Sequence, residues 1–188
     1  PITDVADLNG LKLRAPTRTT TTMFTGLGAT SVGMPVPAVP EALSKGVIDG
    51  AVIPWEVVPA LKVHELVENH TEFGDAHLYT TAFIFAMNSD AYNGLPDDLK
   101  AVIDANSGLE FSAFAGRTME EYDAPGRALA EEAGNNIVVL TPEQVDAWRA
   151  ASKPTIDNWI AEADAAGLDG QDIYDAATAL IAKHSASN

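Results

Sequence analysis

Between residues 11 and 53, apolar runs of four to seven residues alternate with helix-like stretches, and a glycine or proline stands near each junction. Residues 11–14 (LKLR), 30–34 (TSVGM) and 47–53 (VIDGAVI) read as short strands, with helices at 19–27 and 41–45 between them. Gly28 and Gly46 suit the C-terminal ends of those helices. Pro40 suits a first helical turn, where its missing N–H costs nothing. Gly50, inside the third strand, marks a close backbone approach or a bend. Strands that alternate with helices need crossover connections, and crossovers build parallel sheets. The pattern therefore implies an α/β fold.

The later chain turns helical. Pro54 and Trp55 open another helix after the third strand, and residues 78–87 (LYTTAFIFAM) are the longest strand candidate. Leu95-Pro-Asp-Asp-Leu99 reads as a helix start, with acids in the first turn matching the macrodipole. A long helical region then runs to Ala133, with a kink expected at Ala124-Pro-Gly126. Residues 136–140 (NIVVL) form one more strand, and Thr141-Pro-Glu-Gln144 is a capping-box helix start. Amphipathic helices follow from 148 to 181, split near 167–170. There is no internal repeat.

With 188 residues, 46% hydrophobic and 20% charged, the chain can bury a substantial core. Its formal net charge is −16, from 27 acidic and 11 basic residues. So acidic a surface repels nucleic-acid phosphates and anionic lipid headgroups, which argues against both as partners. No apolar run is long enough for direct membrane insertion. The absence of cysteine removes disulfides, thiolate metal sites and cysteine nucleophiles. The chain starts at Pro1 with neither initiator Met nor signal peptide, which reads as a processed or truncated piece.

Catalytic and metal patterns are weak. His64, His70 and His77 are spaced by six and seven residues, whereas a helical zinc pair needs three or four. No G-x-S-x-G elbow, G-x-G-x-x-G or P-loop is present, and nothing calls for a metal or a cofactor. An enzyme reading is left with His77 and a nearby acid, as in a small α/β hydrolase or lyase. Arg14 carries more information. It ends a strand at the edge where open α/β sheets bind ligands, and its planar fork matches a carboxylate. The competing reading is a salt bridge to a local acid. Trp55 ends the third strand at the same edge, either paving a pocket or filling core. Tyr79, Thr80 and Thr81 could add hydroxyl donors, or serve as ordinary strand residues. Arg18 reads as a solvated residue near a helix start.

Several segments resemble one family in order and at its spacing. Asp7-Leu-Asn-Gly-Leu-Lys-Leu-Arg-Ala-Pro16 is similar to the "DLKGLKIRVP" segment of the DctP-like substrate-binding proteins of TRAP transporters (tripartite ATP-independent periplasmic transporters). Leu27-Gly-Ala-Thr-Ser-Val-Gly-Met-Pro35, Glu41-Ala-Leu-Ser-Lys-Gly-Val-Ile-Asp-Gly50, and Met87-Asn-Ser-Asp-Ala-Tyr with Leu95-Pro-Asp-Asp-Leu99 resemble its later motifs. The resemblance implies a non-enzymatic receptor in the periplasm of a Gram-negative bacterium. Such a receptor closes two α/β domains on one small organic acid and delivers it to TRAP permease subunits in the membrane. A fused solute-sensing module without transport is the variant reading.

The implied architecture is a periplasmic-binding-protein (Venus flytrap) fold with a mostly parallel sheet, hinge strands and a long interdomain helix. Family members are longer, so the expectation is that the N-terminal part is missing. Residues 1–76 would open the second domain, 77–116 would supply a strand and helix crossing to the N-terminal domain, and 117–188 would return. Arg14 matches the family arginine that pairs with the ligand carboxylate. Thr17, Val36, Ile53, Trp55 and Thr80 complete the expected site. Ile53 stands where the family often has an asparagine, and Trp55 adds an indole. That substitution favours an aromatic or otherwise apolar monocarboxylate, or a short oxo acid, over a polyhydroxylated acid.

Overall fold

The structure, a computed structural model, describes residues 1–185. Its first sheet is built around β1 (Lys12–Ala15), with β2 (Thr30–Gly33) on one side and β3 (Gly50–Ala51) on the other, all parallel. Leu13 and Arg14 face Ser31 and Val32 on β2, and Gly50 and Ala51 on β3. The expected parallel α/β arrangement is therefore present. Helix α1 (Arg18–Gly26) crosses from β1 to β2, and α2 (Val39–Ser44) leads towards β3. The order β2-β1-β3 means that successive connections leave the sheet to opposite sides. Such a reversal opens a crevice at the C-terminal ends of the central strands.

β3 is shorter than the apolar run 47–53, because its flanks pair only by single bonds, Asp49 N–H to Lys12 O and Val52 N–H to Arg14 O. Gly50 sits where a Cβ would come 3.0 Å from the Leu13 side chain, the close approach that the glycine implied. After β3 the chain makes a 3-10 turn at Trp55–Val57 and the short helix α3 (Val58–Leu61).

A second parallel pair joins β4 (Asn69–Glu72) to β5 (Asn136–Val139). β4 has the sequence NHTE and no apolar alternation, so strand patterning does not reveal it. Between the two strands lie α4 (Ser89–Asn93), α5 (Asp97–Ala105), α6 (Leu109–Glu121) and α7 (Asp123–Glu132). The chain ends in α8 (Pro142–Ala165) and α9 (Gly170–Ser185), and the expected Thr141–Gln144 capping box opens α8.

Two expectations are corrected. Residues 78–87 form no strand: no strand among the described residues pairs with them, and Phe83, Ile84 and Phe85 are largely exposed. An extended apolar run becomes a strand only by pairing its backbone N–H and C=O groups. The long helical region breaks at residues 106–108 and again at Tyr122, and not at Ala124-Pro-Gly126. Pro125 thus sits in the first turn of α7, where no i−4 carbonyl is lost.

The main core gathers Leu8, Leu13, Ala15, Phe24, Leu27, Leu140 and Trp148, so it ties β1 and α1 to α8. Burying a side chain such as Leu8 or Phe24 stabilises by about 2 kcal/mol. A smaller cluster of Val39, Ala42 and Ile48 seats α2. Together they hold β1 rigidly, which matters for the residue at its end.

Candidate ligand-binding site

Arg14 is 3% exposed, one residue before the C-terminal end of the central strand. Its Nε donates to Met34 O at 3.2 Å and its Nη1 to Val52 O at 2.9 Å. Those carbonyls follow β2 and β3, so the guanidinium bridges the edge of all three strands. Among the described residues no carboxylate pairs with Arg14, and its Nη2 donates no hydrogen bond. The salt-bridge reading of this arginine therefore fails. Burial holds its pKa below the usual guanidinium value, opposed by the nearby Tyr79. Two carbonyl dipoles hold the guanidinium but leave its charge uncompensated, an arrangement that can receive an anion.

Above it lies an open depression of about 760 Å³, lined by Arg14, Pro16, Thr17, Thr22, Met34 and Val36 among others. Thr17 has a second task. Its hydroxyl accepts from Thr20 N–H at 3.1 Å and so caps α1, whose positive end faces the same space. Thr21, Thr22 and Thr25 each return their hydroxyls to carbonyls of their own helix. The threonine run is thus accommodated within a helix. Arg18 lines the depression too, but its Nη2 is 3.1 Å from Glu162 Oε2 on α8 in an exposed pair.

The remaining expected residues fall at different places. Ile53 is half-buried and follows Val52, whose carbonyl holds Arg14. Trp55 is also half-buried, but its indole N–H is directed to Glu72 Oε1 at 2.9 Å, and its ring lies 4.9 Å from that of His70. Neither is among the residues lining the depression. Thr80 is exposed and does not line it either. In that segment Tyr79 is the residue that interacts with Arg14, and burial raises its phenol pKa. Phenol length gives it the reach that the two threonines lack.

Sequence reasoning missed a second set of residues behind the β3 turn. Arg127 on α7 grips Glu72 side-on, Nε to Oε1 at 2.8 Å and Nη2 to Oε2 at 3.3 Å, and also pairs with Glu131. Asp123 accepts from the Glu56 backbone N–H at 2.9 Å. Glu56 itself has its carboxyl pKa raised by burial and by the neighbouring Asp123. No sequence motif signals these contacts, because Glu72 and Arg127 stand 55 positions apart.

A buried arginine with no carboxylate partner among the described residues, at the reversal point of a parallel sheet, is an arrangement that can receive an anion. The chain belongs to the bacterial extracellular solute-binding protein family 7 (DctP), which it matches over residues 1–163. Solved structures of TRAP solute-binding proteins share its fold. One from Rhodoferax ferrireducens T118, in complex with copurified benzoate, is 46% identical, with a TM-score of 0.94 over 98% of this chain and 58% of that one. A marine-metagenome protein specific for aromatic acid ligands, bound to 3-hydroxybenzoate, is 48% identical (TM-score 0.92, 97% of this chain, 57% of that one). One from Bordetella bronchiseptica with bound mandelate is 27% identical (TM-score 0.79, 92% and 54%). The chain thus spans under three-fifths of the length of these proteins. Its fold is that of the two-domain periplasmic binding proteins, in a family of solute receptors. No helix among the described residues is long and apolar enough to cross a membrane.

Proposed function

We propose that this protein captures an aromatic monocarboxylate outside the cytoplasm and hands it to a TRAP membrane permease. The carrying observation is Arg14, buried and held in place by two carbonyls, with Nη2 uncommitted and no ionic partner of its own. A ligand carboxylate supplies the missing counter-charge. Leaving a buried charge unpaired costs a few kcal/mol, so the arginine selects for anions.

The apolar neighbours select among acids. Met34 and Val36 line the depression, and Ile53 adjoins the Arg14 anchor at Val52. These side chains suit a ring better than a chain of hydroxyls, in line with the benzoate and 3-hydroxybenzoate bound by the two relatives above 45% identity. Thr17 and Tyr79 are the polar partners available beside the carboxylate. The reading implies the periplasm of a Gram-negative bacterium as its setting, and the net charge of −16 keeps such a receptor soluble there.

A thermal-shift panel on the full-length protein tests this reading. Benzoate, hydroxybenzoates and phenylacetates belong beside short oxo acids, C4-dicarboxylates and sugar acids. Ligand at about 100 times its Kd stabilises by about 2.7 kcal/mol, a shift of several degrees. Aromatic monocarboxylates are expected to give the largest shifts. A shift confined to sugar acids or dicarboxylates overturns the assignment.

A further inference from the structure

The segment from Val52 to Trp55 forms the β3 side of the Arg14 anchor, and its far end is gripped from behind. Three contacts converge there. Trp55 Nε1 donates to Glu72 Oε1 at 2.9 Å, and Arg127 holds both oxygens of that carboxylate from α7. Asp123, at the start of α7, accepts from the Glu56 N–H at 2.9 Å. Gly126, one turn along, brings the helix so near that a Cβ there would lie 2.0 Å from the Trp55 carbonyl oxygen. The indole face is covered by His70, whose Nε2 is 2.9 Å from Asn135 Oδ1.

We propose that Glu72 and Arg127 are positioning residues for the ligand. They act as a clamp on Trp55 that sets where the Val52–Pro54 backbone stands beside the Arg14 anchor, without touching the ligand themselves. The inference rests on the proposed function, in which the ligand occupies the space in front of Arg14.

The physical argument is one of degrees of freedom. Glu72 is four-fifths buried and its two oxygens serve three donors, Trp55 Nε1 and two nitrogens of Arg127. Arg127 is the cation that offsets the charge of Glu72, and this pairing raises its own pKa. Without Arg127, Glu72 is a partly buried carboxylate drawn towards water, and the indole loses a fixed acceptor. Beside the Glu72 contact, the 52–56 segment is held by the bonds between Val52 and Arg14, by Glu56 N–H to Asp123, and by the local turn bonds from Val57 N–H to Pro54 O and Val58 N–H to Trp55 O, so Glu72 is the one acceptor that fixes the Trp55 side chain among the described residues. Slack at Trp55 reaches the Val52–Ile53 side of the site within three residues, while Arg14 keeps its second hold at Met34 O, so the carboxylate end is disturbed less than the space beside it. A binding group held loosely by its supporting residues loses affinity even when every contacting side chain is present.

The test uses the full-length protein and calorimetric titration with benzoate and, separately, butyrate, for wild type, Arg127→Met, Arg127→Lys, Glu72→Gln and the double variant Glu72→Gln/Arg127→Met. Melting temperatures without ligand are recorded alongside. Expected is a loss of benzoate affinity of about tenfold in Arg127→Met, the range in which outer contacts tune binding sites, with partial rescue in Arg127→Lys. Butyrate affinity is expected to fall less, because the carboxylate end keeps the Met34 hold on Arg14 while a ring also has to fit beside the Val52–Ile53 backbone. The two changes are expected to be non-additive, since both empty the same contact. If wild type binds benzoate and the variants keep its Kd, or lose benzoate and butyrate affinity equally, the clamp is overturned while the function stands. If wild type binds neither acid, the proposed function fails first. Should Arg127→Met not fold, the comparison of Arg127→Lys with Glu72→Gln decides the matter by the same benzoate-to-butyrate ratio.

Discussion

An ideal Cβ placed on Gly126 lies 2.0 Å from the Trp55 carbonyl oxygen and 2.8 Å from its carbon, both backbone atoms that cannot swing aside. Gly126→Ala therefore has to push α7 off the β3 turn. An overpacking cost of about 2–3 kcal/mol is expected, read as a lower denaturant midpoint at unchanged slope. Glu56 gives a prediction with a sign. Burial first, then Asp123, raises its folded-state pKa above the ordinary carboxylate range. Between the unfolded and folded values the native chain holds more protons than the unfolded one, so this group lowers stability as pH rises through that window. Glu56→Gln is expected to raise the melting temperature at pH 7 and to leave it unchanged near pH 3, as unfolding measured at the two pH values will show. The place of Arg14 at a strand end before a proline was legible in the sequence, and Tyr79 was visible there as one of three possible hydroxyl donors. Glu72 was not, because its pairing with Arg127 spans 55 positions and leaves no local pattern.

Among the elements, α8 runs unbroken for 24 residues through Pro154. A proline there removes one i→i−4 bond and crowds the carbonyl four residues earlier. The helix persists because Trp148 and Ala163 anchor it in the core on either side, and the Thr141 capping box fixes its start. Pro154→Ala is expected to stabilise the protein by about 2 kcal/mol, visible as a raised melting temperature with ligand affinity intact. The elements that sequence patterning located well, β1, β2, α1, α2 and β5, are those whose apolar period and end residues agree with their burial. β4 escaped because its stability comes from pairing with β5 and not from its own residues. Residues 78–87 show the converse, strand propensity without a neighbour to pair with.

At the scale of the molecule, two tertiary arrangements meet at the Val52–Trp55 segment. The β2-β1-β3 sheet presents Arg14, and α7 with the β4-β5 pair supports the turn beside it. The chain as a whole carries a formal net charge of −16, so Arg14 is a buried cation within a strongly acidic molecule. On the proposed function, that contrast would confine anion binding to the place where the fold has already desolvated and oriented the guanidinium. The most direct measurement is a calorimetric titration of the full-length protein with benzoate, for wild type and Arg14→Ala at neutral pH. The expected result is one site per chain in wild type, weakened about 100-fold or more in the variant, equivalent to about 3 kcal/mol. Equal affinity in the two proteins would contradict the assignment of Arg14 as the carboxylate partner.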